Sequence, residues 1–369
     1  MSTLDAPSPL ADADLHTLRS AATQAEAEGR LLPPQLALIH QRGWLKMLAP
    51  RAVGGDEWPL PAVVRLEEAL AAADGSVGWT VTLCAGAGWF AGFLPPALAR
   101  SILATPAVCL AGSGMPGGVA EASADGWRLS GHWGHASGAP MATHFTCNAQ
   151  LQCDGRPCLD ERGQPRVRAF VLPAAQVTLH DSWHSIGLKA SASQAFSVDA
   201  ARLAPEQAFD ITPAAATVDG PLYRFPFRPF AFVTLAANLL GLAGRFIALA
   251  EPLLAQRDAR LGTALQTRWQ AEQAALAQAR REFYEVLDHS WQRVAAGAAL
   301  PLEAEQALER QSRTIVQVAR QAVDGLYPLC GLQAADPRQD INRVWRDLHT
   351  ATQHALWLPA GMAPADPPG

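Results

Sequence analysis

The spacing of apolar positions divides the chain into two helical regions on either side of a β-rich region. In the first region, apolar residues recur every three or four positions over 15–28, 34–41 and 60–72, with breaks at glycines and prolines. The segment 80–94 is apolar all round, which is typical of a fully buried helix. This pattern predicts an N-terminal helical domain over residues 1–105.

The pattern changes over residues 106–205. Short runs at 127–129, 145–151, 167–172 and 196–198 alternate or carry β-forming residues, and Gly, Pro and Asp turns separate them. These runs predict a central antiparallel β-domain. Residues 206–229, which are rich in proline, predict a linker.

Helical periodicity returns after residue 230. It predicts four long helices at about 231–256, 263–297, 302–329 and 338–357, and short joins between them indicate a C-terminal four-helix bundle. We place this bundle at 230–358 and a tail at 359–369. Because the first of these helices is apolar at most positions, we expect a second subunit to cover part of the bundle.

The last predicted helix carries the most distinctive polar pattern. At about 100° per residue, Arg343, Asp347, Thr350 and His354 fall on one stripe, next to an apolar stripe at positions 344, 348, 351 and 355. The pattern has two interpretations. The commoner one is the solvated face of an amphipathic helix, and the other is an ionisable surface that faces a ligand.

Composition narrows the class of protein. With 369 residues, of which 49% are hydrophobic and 17% charged, the chain can bury a large core. A formal net charge of −5 offers no basic surface for nucleic acid. Since the sequence has neither a run of eighteen apolar residues nor the pattern of a signal peptide, we expect a cytoplasmic protein without a membrane span.

The six cysteines are too few for a disulfide scaffold, in agreement with a reducing compartment. Cys147, Cys153 and Cys158 form a cluster, but their spacing does not match that of a zinc site. His132 and His135 lie three apart in a strand-like run, so their side chains would point to opposite faces. We therefore predict no metal site.

The order of the three domains and four short motifs resemble the acyl-CoA dehydrogenase fold. The motifs are the Gly-Gly within 53–56, Asp-Gly-Ser-x-Gly-Trp at 74–79, Ser-Gly-His-Trp-Gly-His-Ala-Ser-Gly at 130–138, and Arg-x-x-Arg-Asp-x-His-x-x-x-x-His at 343–354. Together they look like one branch of that superfamily, the two-component flavin-dependent monooxygenases. Enzymes of this branch use reduced flavin that a separate reductase supplies. The resemblance spans residues 35–357.

This resemblance implies an activity. In the branch, reduced flavin and O2 give a C4a-hydroperoxide, which hydroxylates or oxygenates an apolar or aromatic small molecule. The serine that matches Ser137 lies against flavin N5, and the histidine that matches His354 lies near C4a. The resemblance therefore implies catalytic roles for both residues. A hydroxyl group and an imidazole that titrates near neutrality suit the control of such a species.

The resemblance also implies the residues that bind the cofactor, which is FMN or FAD. They are Trp133, Ser137, Gly138, Lys189, Ser191, Ser193 and Arg346. The loop at 187–193 reads Gly-Leu-Lys-Ala-Ser-Ala-Ser, whereas the branch commonly has Gly-Leu-Arg-Gly-Thr-Gly-Ser. A lysine thus replaces the guanidinium fork of an arginine, and alanines replace glycines.

Three aromatic residues are candidates for the lining of a substrate pocket. They are Trp89, Phe93 and Phe230, although such clusters more often form core. The resemblance further implies a homotetramer that receives flavin from a reductase.

Two alternative functions remain open. An acyl-CoA dehydrogenase or oxidase would use a glutamate base near the terminal helix or near the start of the bundle, but this chain has no Glu after Glu309 and none between Glu206 and Glu251. Asp347 is a conceivable substitute, which we instead expect to pair with Arg343 or Arg346. The second alternative is a non-catalytic paralogue, because the loop at 187–193 departs from the pattern of the branch.

Overall fold

The computed structural model describes residues 9–261 and 263–358. Residues 1–8, Gly262 and the predicted tail at 359–369 lie outside the described residues.

The N-terminal domain is helical, as the periodicity predicts. Its five helices are α1 (Asp12–Glu28), α2 (Pro33–Gln41), α3 (Leu60–Ala73), α4 (Gly75–Trp89) and α5 (Pro96–Leu103). Asp74 is the N-cap of helix α4, and its side chain accepts a hydrogen bond from the Val77 N–H at 2.9 Å. Its apolar sequence is buried along almost the whole helix, between α3, the bundle and the sheet.

The β-domain is one twisted sheet. Its strands are β1 (Leu110–Ser123), β2 (Gly126–Ala136), β3 (His144–Cys153), β4 (Arg156–Pro157), β5 (Val167–Pro173), β6 (Thr178–His180), β7 (Gln194–Leu203) and β8 (Ala208–Phe209). Their order in the sheet is β6-β7-β2-β1-β3-β5-β8, and β4 pairs with the end of β3.

The prediction of a purely antiparallel domain is wrong at one pairing, because β1 and β3 are parallel. A tight hairpin joins β1 to β2, so β2 runs opposite to β1 on one side of it. The chain then returns as β3 on the other side of β1. Since β3 runs opposite to β2, it has the same direction as β1.

A disulfide joins Cys153 to Cys158 across the turn between β3 and β4, with a Cα separation of 5.8 Å. The cysteine count alone did not indicate this pairing. Cys147, the third member of the sequence cluster, is buried as a free thiol in the core of the sheet.

The C-terminal region contains α6 (Pro221–Arg224), α7 (Phe227–Leu261), α8 (Ala264–Ala295), α9 (Leu302–Cys330), α10 (Leu332–Ala335) and α11 (Asp340–Ala351). A part of α7, Phe227–Arg257, is long and apolar enough to span a membrane, but 78% of its most apolar window is buried inside the fold. One core therefore serves both the bundle and the N-terminal domain, and a smaller core lies in the sheet.

The apolar surface of α7 is covered within the chain. Helix α3 packs so closely that a Cβ added to Gly241 would lie 2.1 Å from the carbonyl oxygen of Glu68. The inference that a second subunit covers this helix is therefore not needed, since α3, α8, α9 and α11 all pack against it.

The terminal helix α11 ends at Ala351, so the prediction that it continues to residue 357 is wrong. His354 follows in an extended conformation and caps a short 3-10 turn, Ala355–Trp357. Its Nδ1 accepts a hydrogen bond from the Leu356 N–H at 3.2 Å. Arg313 of α9 donates to the backbone carbonyls of residues 356–358, which holds this segment against the bundle.

A loop of the β-domain, residues 181–193, is attached directly to α11. The Leu188 N–H donates to Asp347 Oδ1 at 2.6 Å, and Arg346 Nη1 donates to the Ile186 carbonyl at 2.7 Å. Between these contacts, a Cβ added to Gly187 would lie 2.2 Å from the Arg346 carbonyl oxygen. Only glycine allows the loop to approach the helix backbone this closely. The β-domain and the bundle are thus tied together at this loop.

The expected ion pair of Asp347 with Arg343 or Arg346 is not the contact observed. Arg343 donates to Asp340 at 2.8 Å, while Arg346 donates to Asn342 and pairs with Glu26 of α1. Asp347 is 3% exposed. Burial raises its pKa to about 7. The hydrogen bond from the Leu188 N–H lowers the pKa, and the nearby Asp74 raises it.

Two alanines of the same loop differ in backbone conformation. Ala192 has a left-handed φ of 44°, at the position where the related motif has glycine, whereas Ala190 lies in the 3-10 turn Lys189–Ser191 and is not among the residues with positive φ. Both side chains are buried. The loop therefore keeps its shape with alanine in a conformation that favours glycine.

We expect Ala192→Gly to stabilise the protein by up to about 1 kcal/mol. Left-handed strain of about 1–2 kcal/mol is relieved, and the entropy that glycine adds to the unfolded chain, about 0.4–1 kcal/mol, offsets part of the gain. The matched control Ala190→Gly relieves no strain and should destabilise by about 1 kcal/mol. Urea denaturation measures both free energies of unfolding. Equal losses in the two variants would show that Ala192 is not strained.

Asp347 should make stability depend on pH. Its pKa is about 7 in the folded protein, against an ordinary value of 3.8. The folded state therefore retains a proton that the unfolded chain releases, and this stabilisation is fully present below about pH 4 and lost as the pH rises through 7. The loss is on the order of 4 kcal/mol.

Asp347→Asn keeps an acceptor for the Leu188 N–H but does not titrate. The free energy of unfolding of the wild type should therefore fall relative to this variant between pH 5 and pH 8 in urea denaturation. Asp340→Asn, at the exposed start of the same helix, is the control and should follow the wild-type pH profile. Parallel pH profiles for the wild type and Asp347→Asn would contradict the proposed titration.

Candidate active site

Three serine hydroxyl groups form a hydrogen-bonded chain where two loops of the β-domain meet. Ser137 Oγ lies 2.7 Å from Ser193 Oγ, and Ser193 Oγ lies 2.8 Å from Ser191 Oγ. Ser191 Oγ in turn donates to the Leu188 carbonyl at 2.7 Å. Each of the three serines is at most 4% exposed. The structure thus brings together three of the residues that the sequence assigned to the site.

Gly138 allows the loop that carries Ser137 to pack against helix α4. Its N–H donates to the Ser191 carbonyl at 2.8 Å, and its φ of 74° is left-handed. A Cβ at this position would lie 2.8 Å from Cys84 Sγ, so the loop and the helix are in close contact. The Cys84 thiol donates to the Ser137 carbonyl at 3.4 Å. Sequence analysis missed Cys84, because it lies within an otherwise apolar helix that gives no sign of which face meets the sheet.

His354 lies where the three domains meet. Its ring packs edge-on against Trp79 of α4, with the ring centroids 5.8 Å apart. Because Nδ1 accepts the Leu356 N–H, the neutral ring carries its hydrogen on Nε2. Burial, and to a smaller extent nearby His135, lowers the pKa of His354 to about 4. The expectation that this imidazole titrates near neutrality is therefore wrong: it is a neutral hydrogen-bond donor at physiological pH.

His135, whose charge contributes to the lowered pKa of His354, forms an aromatic pair with Trp183. His135, at the end of β2, is exposed, and its ring lies 5.6 Å from that of Trp183 in the loop 181–193. Together with Trp79 and His354 these residues supply two indoles and two imidazoles from four separate segments. From its spacing in the strand, His135 was expected only to point away from His132; its left-handed φ of 63° departs from a regular strand.

Trp133 lies in the core of the sheet. Its indole is buried, stacks on Phe196 with the centroids 5.1 Å apart, and donates to the Asn148 carbonyl at 2.8 Å. Its ring also fills the space that side chains at Gly118 and Gly131 would occupy. We therefore correct the expectation that the indole of Trp133 contacts a cofactor.

Two predicted cofactor contacts, Arg346 and Lys189, have different surroundings. Arg346 is engaged by Asn342, Glu26 and the Ile186 carbonyl, so its guanidinium supports the loop rather than pointing to a ligand. Lys189 is exposed at the start of the 3-10 turn that carries Ser191. Of the two cations, only Lys189 is accessible to an anionic part of a cofactor.

The three aromatic residues considered for a substrate pocket form core. Trp89, Phe93 and Phe230 are buried, with the Trp89 ring 4.5 Å from Phe93 and 5.0 Å from Phe230. The Trp89 indole N–H donates to the Leu222 carbonyl at 3.0 Å. Their spacing in the sequence does not distinguish a core cluster from a pocket, and the packing corrects the pocket interpretation.

The groups at the site fit a flavin. Serine hydroxyls and the Nε2–H of His354 complement the nitrogens and carbonyls of a planar heterocycle, and indole and imidazole rings can pack on its faces. Two surface grooves, of about 390 and 410 Å³, lie elsewhere and are lined by neither His354 nor the three serines.

Comparisons with known proteins agree with this architecture. Residues 233–358 match the family described as acyl-CoA dehydrogenase, C-terminal domain. The chain is 26% identical over 327 residues to indole-3-acetate monooxygenase of Pseudomonas putida, covering 85% of this chain and 80% of that protein. It is 34% identical over 185 residues to the oxygenase component of the FADH(2)-dependent resorcinol hydroxylase of Rhizobium sp., covering 49% of this chain and 43% of that one.

Solved structures show the same fold. The HsaA monooxygenase from M. tuberculosis superposes with a TM-score of 0.87 at 21% identity, over 94% of this chain and 91% of that chain. XiaF from Streptomyces sp., in complex with FADH2 and glycerol, superposes with a TM-score of 0.83 at 20% identity, over 93% and 89%. The predicted order of helical domain, β-domain and bundle is confirmed. The chain therefore has the acyl-CoA dehydrogenase fold, and its bundle matches the C-terminal domain of that family.

Proposed function

We propose that this chain is the oxygenase component of a two-component monooxygenase, and that reduced FMN or FAD binds between the serine chain and His354. The substrate would be a small aromatic molecule that gains one oxygen atom from O2. The observation that carries the proposal is the neutral, half-buried His354 imidazole, which packs against Trp79 where the three domains meet and has its ring hydrogen on Nε2.

His354 would act as a hydrogen-bond donor near the reacting oxygen. When bound, reduced flavin supplies two electrons, so that one atom of O2 enters the substrate and the other leaves as water. Because the pKa of His354 is lowered to about 4, the ring stays uncharged throughout the neutral range and donates through Nε2–H. Trp79 packs edge-on against the imidazole, which restricts the orientation of the ring.

Ser137 and Gly138 would contact the flavin ring, as the family resemblance implies. Gly138 allows the loop to pack against α4, which fixes the position of the Ser137 hydroxyl. Ser191 and Ser193 brace that hydroxyl from behind. Lys189 is placed to neutralise a phosphate of the cofactor, in the role that the related motif gives to arginine.

Substrate class, partner and assembly are extended to this chain from its relatives. The relatives are named for indole-3-acetate and resorcinol, both small aromatic compounds, and one is named as an oxygenase component. We accordingly propose an aromatic substrate and a separate flavin reductase as partner. We also propose a homotetramer in the cytoplasm.

Neither alternative function is favoured by a specific contact. A dehydrogenase needs a free carboxylate base, and both usual positions of that glutamate are empty in the sequence. Asp347, the conceivable substitute, is buried and holds the Leu188 N–H. A non-catalytic paralogue was considered because of alanines in the loop 187–193, yet that loop keeps its serine chain intact.

Reconstitution tests the proposal. The purified chain, mixed with an NADH-dependent flavin reductase, FMN or FAD, O2 and either indole-3-acetate or resorcinol, should give an oxygenated product that requires both the chain and the reductase. Product analysis by mass spectrometry with ¹⁸O2 identifies the source of the oxygen. Loss of the colour of oxidised flavin on addition of an acyl-CoA, without an oxygenated product, would instead favour a dehydrogenase.

His354→Ala should separate flavin oxidation from substrate oxygenation. Loss of one hydrogen-bond donor to developing negative charge lowers the rate of the assisted step by about 10²–10³. We expect the variant to consume O2 and release hydrogen peroxide in place of product, while its thermal unfolding remains close to that of the wild type. The ratio of product to peroxide measures the effect.

An exposed histidine of the loop 181–193, His184, provides the control, and His184→Ala should leave that ratio unchanged. In the wild type the ratio should also stay constant between pH 8 and about 5, because the pKa of His354 is about 4. A transition centred near pH 6.5 would show that His354 is not in the half-buried, neutral state described.

A further inference from the structure

We infer that Ser191 and Ser193 fix the direction of the Ser137 hydroxyl, so that Ser137 accepts a hydrogen bond from reduced flavin and disfavours oxidised flavin. The inference rests on the proposed function, in which Ser137 faces the redox-active part of the ring. The inference is based on which serine donates and which accepts in each hydrogen bond. The positions of the three serine Oγ atoms and of the Leu188 carbonyl determine this direction.

The direction is set at the Leu188 end of the chain. A carbonyl oxygen can only accept, so the single hydrogen of Ser191 points to the Leu188 carbonyl, 2.7 Å away. Ser191 Oγ must then accept from Ser193, and Ser193 Oγ must accept from Ser137. Reversal would leave two oxygen lone pairs facing each other at the Leu188 end, in a buried site where water cannot compensate.

The Leu188 carbonyl itself cannot turn to accommodate the reverse order. It also accepts from the Trp183 indole N–H at 3.0 Å, and the N–H of the same residue is held by Asp347 at 2.6 Å. Leu188 is buried in a left-handed conformation with φ 52°. A freely rotating hydroxyl group has no fixed hydrogen-bond direction. The direction of the three serine hydroxyl groups is instead determined by the immobilised Leu188 carbonyl.

Ser137 Oγ consequently offers only lone pairs to a ligand. Flavin N5 carries a hydrogen in the reduced state and a lone pair in the oxidised state, so the reduced ring can donate to Ser137 whereas the oxidised ring presents a second acceptor. Reduced flavin gains one hydrogen bond with Ser137, whereas oxidised flavin leaves two acceptors facing each other. This contrast corresponds to a difference in Kd of about tenfold or more between the two redox states. Such selectivity suits an oxygenase that must take reduced flavin from solution while oxidised flavin is present.

Anaerobic titration tests the inference. FMN and FAD, each in the oxidised and the dithionite-reduced state, are titrated into the wild type and Ser193→Ala by calorimetry or flavin absorbance. The wild type should bind reduced flavin at least about tenfold more tightly. In Ser193→Ala the Ser137 hydroxyl is free to rotate and donate to oxidised N5, so binding of oxidised flavin should tighten by about tenfold. General loosening of the loop would weaken both states and could not produce this gain.

Three further variants complete the test. Ser191→Ala releases the anchored end of the chain and should also tighten the binding of oxidised flavin. Ser137→Ala should weaken the binding of reduced flavin without that gain. Ser185→Ala is the control, since Ser185 lies in the same loop and donates to the Gly187 carbonyl outside the chain; the ratio of the two Kd values should not change. Thermal unfolding of each variant verifies that it is folded.

The outcomes distinguish a failure of the proposed function from a failure of the inference about hydroxyl direction. If the wild type binds neither reduced FMN nor reduced FAD, the proposed function fails. If it binds reduced flavin but shows no preference over the oxidised state, or if neither Ser193→Ala nor Ser191→Ala reduces that preference, the function stands and the inference about hydroxyl direction is overturned.

Discussion

The arrangement of the site depends on one hydrogen bond between domains, from the Leu188 N–H to the buried carboxyl group of Asp347. Asp347 belongs to the last helix of the bundle, and Leu188 to a loop of the sheet. A carboxyl group in this position is costly to desolvate and therefore needs a partner. The Leu188 N–H is that partner, and the hydrogen bond fixes the loop next to α11. The three serines are positioned in turn, because their hydrogen bonds begin at the Leu188 carbonyl.

The sequence predicts the parts of the fold that depend on local pattern. The helical periodicity of α7, α8 and α9 is long and regular, so these helices were located well from sequence. The serines of the two Gly/Ser loops were identified by motif, and the structure brings them into contact. The end of α11 was missed, because a histidine that caps a following 3-10 turn has the same spacing as one that continues a helix.

The features that could not be predicted depend on contacts between distant segments. The partner of Asp347 is a backbone N–H 159 positions away, whereas sequence spacing suggested an arginine on the same helix. Likewise, Trp133 and Trp89 each satisfy their indole N–H on a carbonyl inside a core, which no local pattern reveals. The lowered pKa of His354 arises from burial by segments that the sequence does not relate to it.

The segment that carries His354 is secured in an unusual manner. One guanidinium, that of Arg313, grips three successive main-chain oxygens at 356–358 and does not depend on the side chains there. The side chains at positions 356–358 could therefore change during evolution without displacing His354. Such changes would alter the surface next to the imidazole. Arg313 would be the invariant partner in such a lineage, although it lies on another helix and outside every motif that marks the site.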